Sequence, residues 1–272
     1  MRRRCLFVLL ATLMFALPLR AHDLFLVLRT FFVPPETAVE IHALNGTFSK
    51  SEAAVARARM RDVSVVTTAG TTHPDTTAWR DRGDTSILSI RTGAAGTYVV
   101  GVSTLPKVLR LEAKQFNDYL ATEGVPEVLV ARRRDGEMDR PARERYHKHV
   151  KALLQVGTVR TDAFGAVLGY QAEIVPLGNP YTLSSGARTT LRVRALVAGA
   201  PEAHLVLQYG GRDAKGNRIE PKEVRTDAAG VAAIPLTRPG RWYVKFIHMT
   251  RLSGDAEADY ESRWATLTFE MR

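Results

Sequence analysis

The chain has 272 residues, 45% hydrophobic and 24% charged, which is the make-up of a folded globular protein with room for one large or two ordinary domains. One cysteine excludes a disulfide framework, a cysteine-based zinc finger and an iron–sulfur cluster. The formal charge of +10 raises nucleic acid or a membrane surface as partners.

Much of that charge sits at the start. Met1-Arg2-Arg3-Arg4 precedes an apolar stretch from Cys5 to Leu19, and Arg20-Ala21 follows. A basic start, a short apolar stretch and a small residue at its end form a secretory signal peptide over residues 1–21. The stretch is shorter than the roughly 20 residues of a membrane-spanning helix. Nothing later approaches that length, so the mature chain is expected to be exported and soluble, without a transmembrane segment. Cleavage after Ala21 removes four arginines and no acid, taking the charge from +10 to +6. It also removes Cys5 and makes His22 the first residue. Export disfavours nucleic acid, and the aromatic residues are not interleaved with the basic clusters as a base-stacking platform requires.

Residues 22–111 read as a β domain. Val39, Ile41 and Ala43 alternate with Glu40 and His42, and Asn45-Gly46 reads as the turn that follows. Ser51 to Arg61 has the composition of a short helix. Val63–Thr67, Ser86–Arg91 and Thr97–Ser103 are strands. Residues 112–157 read as a helical segment dense in Arg and Lys. Glu112–Glu123 places Phe116, Tyr119 and Leu120 on one face, and Val125–Ala131 forms a second short helix. Asp139 and Pro141 open a third, with Tyr146, Val150, Leu153 and Leu154 at helical spacing and Gly157 at its end. Residues 158–272 return to strands: Thr189–Val197, His204–Tyr209, Glu223–Thr226, Val231–Leu236, Arg241–Met249 and Trp264–Phe269. Short strands separated by turn signals predict a β-sandwich. The fold class is therefore mainly β, two sandwich-like domains with a short helical insertion between them.

The sequence holds no phosphate-binding glycine loop, no Gly-x-Ser-x-Gly elbow and no His-Glu-x-x-His. Chemistry then falls to the histidines, since imidazole is the commonest transition-metal ligand. A mature chain starting at His22 offers an α-amine beside an imidazole, which together can close a chelate ring on Cu(II) or Ni(II). The amine titrates near pH 8 and yields its proton more readily than a lysine. His248 ends a strand face made of Trp242, Val244 and Phe246, so it is either an oriented ligand at the sandwich rim or a core-edge histidine bonded to a carbonyl. His42 could approach a site at its strand end. Asp255, Glu257, Asp259 and Glu261 precede the last strand; if the last two strands form a hairpin, Asp259 and Glu261 can ligate or support a histidine. His147 and His149, two apart on the predicted helix, point to opposite sides and read as surface residues.

Several stretches together resemble the DUF4198 family of periplasmic proteins. They are Ala21-His22-Asp23-Leu24, Glu144 through Gly157, Leu168-Gly169-Tyr170 through Asn179-Pro180-Tyr181, and the run from Thr226-Asp227 through Trp242-Tyr243 and Ile247-His248-Met249 to Trp264–Phe269. The resemblance implies a transthyretin-like or immunoglobulin-like C-terminal sandwich and a link to nickel or cobalt uptake. It implies that His22 is a metal ligand and that His248 is the histidine of the Trp-Tyr strand. Leu24-Phe25 stands where Phe-Trp is usual, and Tyr209 to Asn217 holds no histidine, which leaves the ligand number open. The leading expectation is a non-enzymatic binding protein for nickel, cobalt or copper that delivers the ion to a membrane transporter or receptor. Its ligands would be His22 and His248, completed by His42, Asp259 or Glu261. The alternatives are a copper enzyme built on a histidine brace, and a metal-independent module that recognises protein or glycan.

Overall fold

The computed structural model describes residues 22–184, 186 and 189–272; the predicted signal peptide lies outside the described residues. The first strands are β1 (Asp23–Val27), β2 (Phe32–Val33), β3 (Ala38–Thr47), β4 (Lys50–Ser51), β5 (Met60–Thr67) and β6 (Gly70–Thr72). Next come β7 (Trp79–Arg82), β8 (Thr85–Arg91), β9 (Gly96–Thr104) and β10 (Lys107–Leu111), then helices α1 (Ala113–Thr122) and α2 (Pro126–Arg134). The remainder is β11 (Ala142–Val156), β12 (Ala172–Pro176), β13 (Thr190–Val197), β14 (Ala200–Pro201), β15 (Val206–Asp213), β16 (Arg218–Arg225), β17 (Val231–Pro235), β18 (Gly240–Arg251) and β19 (Tyr260–Met271). The chain is mainly β, as predicted, and α1 and α2 lie where the first two helices were expected.

One sheet runs through both predicted halves, in the order β16-β15-β18-β19-β11-β9-β5-β6. A smaller sheet, β1-β3-β8-β7, supplies Leu24, Leu26, Ile41 and Leu88 to the core that also holds Val100 and Val102 of β9. A third, β12-β13-β14 with β17, adds Ile174, Leu191 and Val193 to it. Period-two burial explains β3, where Val39, Ile41 and Ala43 are inside. In β18, Trp242, Val244 and Phe246 are buried, as their spacing predicted, and β18 and β19 form the expected antiparallel hairpin.

Three local expectations are corrected. The segment from Ala142 to Val156 is a 15-residue strand, not a helix. It lies in the middle of the large sheet, parallel to β19 and antiparallel to β9 and β10, and those ladders satisfy its backbone. Asn45-Gly46 continues β3; the chain turns at Phe48-Ser49 and returns as β4. Gly46 is needed there because a Cβ would run into the Lys50 carbonyl. Ser51 to Arg61 contains only a single 3-10 turn, Arg57–Arg59, between β4 and β5.

Gly211 marks the tightest strand contact. It follows an irregularity in the β15–β16 register, and a Cβ on it would overlap the Arg241 carbonyl of β18. Backbone cannot rotate away as a side chain can. Gly211→Ala is expected to cost about 1–3 kcal/mol, read as a lower urea midpoint; an unchanged midpoint would mean that β15 and β18 can separate freely here.

Candidate functional site

Side chains of paired residues in a sheet share a face. In register, Lys148 of β11 lies beside Trp264 of β19 and Ile247 of β18, whereas His147 lies beside Arg263 and His248. The large sheet therefore presents two chemically distinct faces.

On the first face, two buried lysines hold the segment that begins the described chain. Lys148 Nζ donates to the His22 carbonyl and, at 3.1 Å, to Asn45 Oδ1. Burial lowers its pKa to about 8, with Asp23 the main opposing influence. Lys245 Nζ contacts Asp23 Oδ2 and Glu123 Oε2, each at 2.6 Å. Burial works against the Lys245 ammonium, but the two carboxylates outweigh it and hold its pKa above the ordinary value. Backbone and side chain of residues 22 and 23 are thus clamped against the sheet. The His22 imidazole is half-buried, and its Nε2 lies 3.2 Å from Glu52 Oε2. Both line a cavity of about 660 Å³, whose wall includes the mutually packed rings of Phe25, Phe48 and Tyr243.

On the second face, the correction of β11 changes the histidine geometry. Residues two apart on a strand point the same way, so His147 and His149 converge, with ring centroids 4.9 Å apart. His149 Nε2 and His147 Nδ1 are 3.2 Å apart. Ser103 Oγ sits 2.9 Å from His149 Nδ1, and Tyr170 stacks on the same ring. Burial, then the neighbouring His147, Arg61 and Arg263, push the His149 pKa down to about 3; burial also lowers that of His147. A second cavity, about 270 Å³, is lined by these residues with Asp62 and Glu261. Asp62 Oδ1 lies 3.1 Å from His73 Nδ1. Sequence reasoning missed this pair; the usable signal was His-x-His in a segment bounded by Pro141 and Gly157, read with period two.

The expected ligands do not gather at one point. His248 lies on the face opposite His22, with Nε2 3.8 Å from Glu202 Oε1; burial lowers its pKa. His42 on β3 pairs with Val27, five residues from His22, so it lies about 17 Å along the strand from His22. Its Nε2 is 4.0 Å from Glu40. Asp259 is taken by Arg143, whose backbone N, Nε and one terminal nitrogen all donate to it, and this holds its carboxyl below the usual range. Glu261 accepts from Arg263 and lies 3.9 Å from His147 Nε2. Among the described residues, no three His, Cys, Asp or Glu side chains converge to hold a metal ion.

The profile of a domain of unknown function, DUF4198, matches residues 19–250. The chain belongs to the DUF4198 family. That span contains His22, the β11 histidines and His248, and ends within β18. A search of curated proteins finds no match. Among solved structures, trypsin-activated alpha-2-macroglobulin from Escherichia coli aligns at 10% identity and a TM-score of 0.21 over 92% of this chain and 15% of that one. The native conformation of the same E. coli macroglobulin aligns at 10% identity and a TM-score of 0.21, over 92% of this chain and 14% of the other. The DUF4198 chain thus spans about a seventh of those proteins. Among its described residues, no helix is long and apolar enough to cross a membrane.

Proposed function

We propose that this DUF4198 protein is a periplasmic binding protein that captures a divalent transition metal, nickel or cobalt first and copper next, for delivery to an uptake system. The ion is cargo, and no bond-making chemistry is asked of the chain. The observation that carries the reading is the contact between His22 Nε2 and Glu52. A histidine at the start of a chain chelates through its α-amine and Nδ1, which close a six-membered ring with the metal. Glu52 engages the other nitrogen, as carboxylates commonly do behind metal-bound histidines. Lys148 fixes the His22 carbonyl and Lys245 fixes Asp23, so little conformational freedom is lost when the ring closes. The cavity beside His22 has room for an ion with its remaining water or exogenous ligands. His42, His248, Asp259 and Glu261 drop out of this ligand set because none lies near His22.

Calorimetric titration of two chains tests the proposal. One begins at His22; the other carries one additional alanine before it, which removes the terminal amine and keeps the imidazole. Nickel, cobalt or copper is expected to bind the first tightly and the second about a hundredfold more weakly, a difference of roughly 2.7 kcal/mol. Equal affinity in both chains would reject the N-terminal chelate.

A further inference from the structure

The β11 histidines form a second site, on the sheet face away from His22. We propose that His147 and His149 bind one tetrahedral divalent ion of the zinc type, through His147 Nδ1 and His149 Nε2. This inference goes beyond the His22 reading and does not depend on it.

The spacing of the donors suits an ion. Two imidazole nitrogens held about 2.0–2.1 Å from a common ion and 3.2 Å from each other subtend an angle of about 100°. That lies close to the tetrahedral value and far from a linear pair. Without the ion, the same contact is one N–H···N hydrogen bond between the rings.

Ligating histidines nearly always present their other ring nitrogen to an oxygen acceptor. Here Ser103 Oγ is 2.9 Å from His149 Nδ1, and Glu261 Oε1 faces His147 Nε2 across 3.9 Å. The outer nitrogen of His149 is thus partnered, that of His147 faces a carboxylate beyond hydrogen-bond reach, and the two inner nitrogens meet each other. When an ion binds, the ring that donated in the inner N–H···N bond loses that proton and takes one up on its outer nitrogen, so each neutral ring carries one proton there and no net proton is released.

The pair is also enclosed: His147 is 8% and His149 3% exposed. The Tyr170 ring stacked on His149 holds that imidazole in place. The adjoining cavity, about 270 Å³, supplies space for the water or small anion that fills the remaining coordination positions.

The test is Co(II) titration of the protein carrying His22→Ala, which removes the N-terminal donor set. One equivalent of Co(II) is expected to produce the intense visible d–d bands of a tetrahedral ion, and Zn(II) to bleach them. His147→Gln and His149→Gln should each abolish the bands. Ser103→Ala keeps both ligands and should weaken binding 10- to 100-fold, the usual effect of losing a partner behind a ligand. Absence of tetrahedral bands in the His22→Ala protein, or bands that survive both glutamine substitutions, would overturn the proposal. Should circular dichroism show that the glutamine variants are unfolded, Ser103→Ala decides: unchanged Co(II) affinity rejects the site. Failure of the N-terminal chelate would show only in the alanine-extended chain, so the two proposals fail separately.

Discussion

Glu173→Ala is expected to remove about 3–5 kcal/mol of folding stability, the usual cost of leaving one member of a buried ion pair without the other. Glu173 Oε2 lies 2.9 Å from Lys151 Nζ, and the two side chains are 1% and 3% exposed. The same carboxylate accepts the backbone N–H groups of Leu168 and Tyr170, each at 2.9 Å. Lys151 also donates to the Ala166 carbonyl. One charged pair therefore ties the middle of β11 to the loop that carries Tyr170. Its loss strands an ammonium whose pKa burial already lowers, and which Glu173 alone counters. It also releases two amides with no alternative acceptor. Lys151→Met should cost less, because the two amides still stabilise the carboxylate. The double variant Lys151→Met/Glu173→Gln should recover part of the loss, since no unpaired charge remains. Urea unfolding of the three variants tests this; a Glu173→Ala cost below about 1 kcal/mol would mean that water reaches the pair.

The reach of the sequence is best seen by setting β18 beside β11. In β18, Trp242, Val244 and Phe246 recur at every second residue, so both the strand and the place of His248 on their face were readable, although Tyr243, Lys245 and Ile247 are buried on the other face. The hairpin with β19 followed from chain order and short spacing. β11 offered the opposite signal. Its residues, Ala-Arg-Glu-Arg-Tyr-His-Lys-His-Val-Lys-Ala-Leu-Leu-Gln-Val, are mostly good helix formers, and four large ones fall at helical spacing. It is nevertheless a central strand, buried on both faces, where alternation disappears because there is no solvent side. Its lysines are inside because specific partners await them: Glu173 for Lys151, and the His22 carbonyl with Asn45 for Lys148. Those partners lie 22, 126 and 103 residues away, at separations no local pattern encodes. The error propagated into function. On a helix His147 and His149 diverge; on a strand they converge. A single misread period therefore hid the cluster and left His22 and His248 as the apparent pair, although the sheet stands between them.

Metal-free protein is expected to lose stability on acidification well above the pH range in which Asp255 and Asp259 titrate, and His149 is the main reason. Its pKa is about 3 in the folded protein against an ordinary value of 6.5. Between these values the unfolded chain takes up a proton that the folded chain refuses, so stability is fully present above pH 6.5 and falls as the pH drops towards 3. Each pH unit in that window costs about 1.4 kcal/mol, which amounts to roughly 4–5 kcal/mol over the whole of it. The surroundings explain the refusal. His147, Arg61 and Arg263 all oppose a charge on His149, and its nearest polar neighbours, Ser103 and Tyr170, are neutral. Glu261 is directed at His147 and Arg263 rather than at His149, and Asp62 at Tyr170, Ser64 and His73. His147, whose pKa burial also lowers, adds to the loss in the same direction. Asp259 and Asp255, held low by Arg143 and Arg145, contribute losses only at lower pH, so the two windows separate. Urea midpoints of the wild type and His149→Gln, measured in chelator from pH 7 to pH 4, isolate the effect. The stability difference between the two proteins should move in favour of the variant by several kcal/mol across that range. A difference that stays constant with pH would show that His149 takes up its proton as readily in the folded protein as in the unfolded chain, and so that its buried surroundings do not oppose the charge.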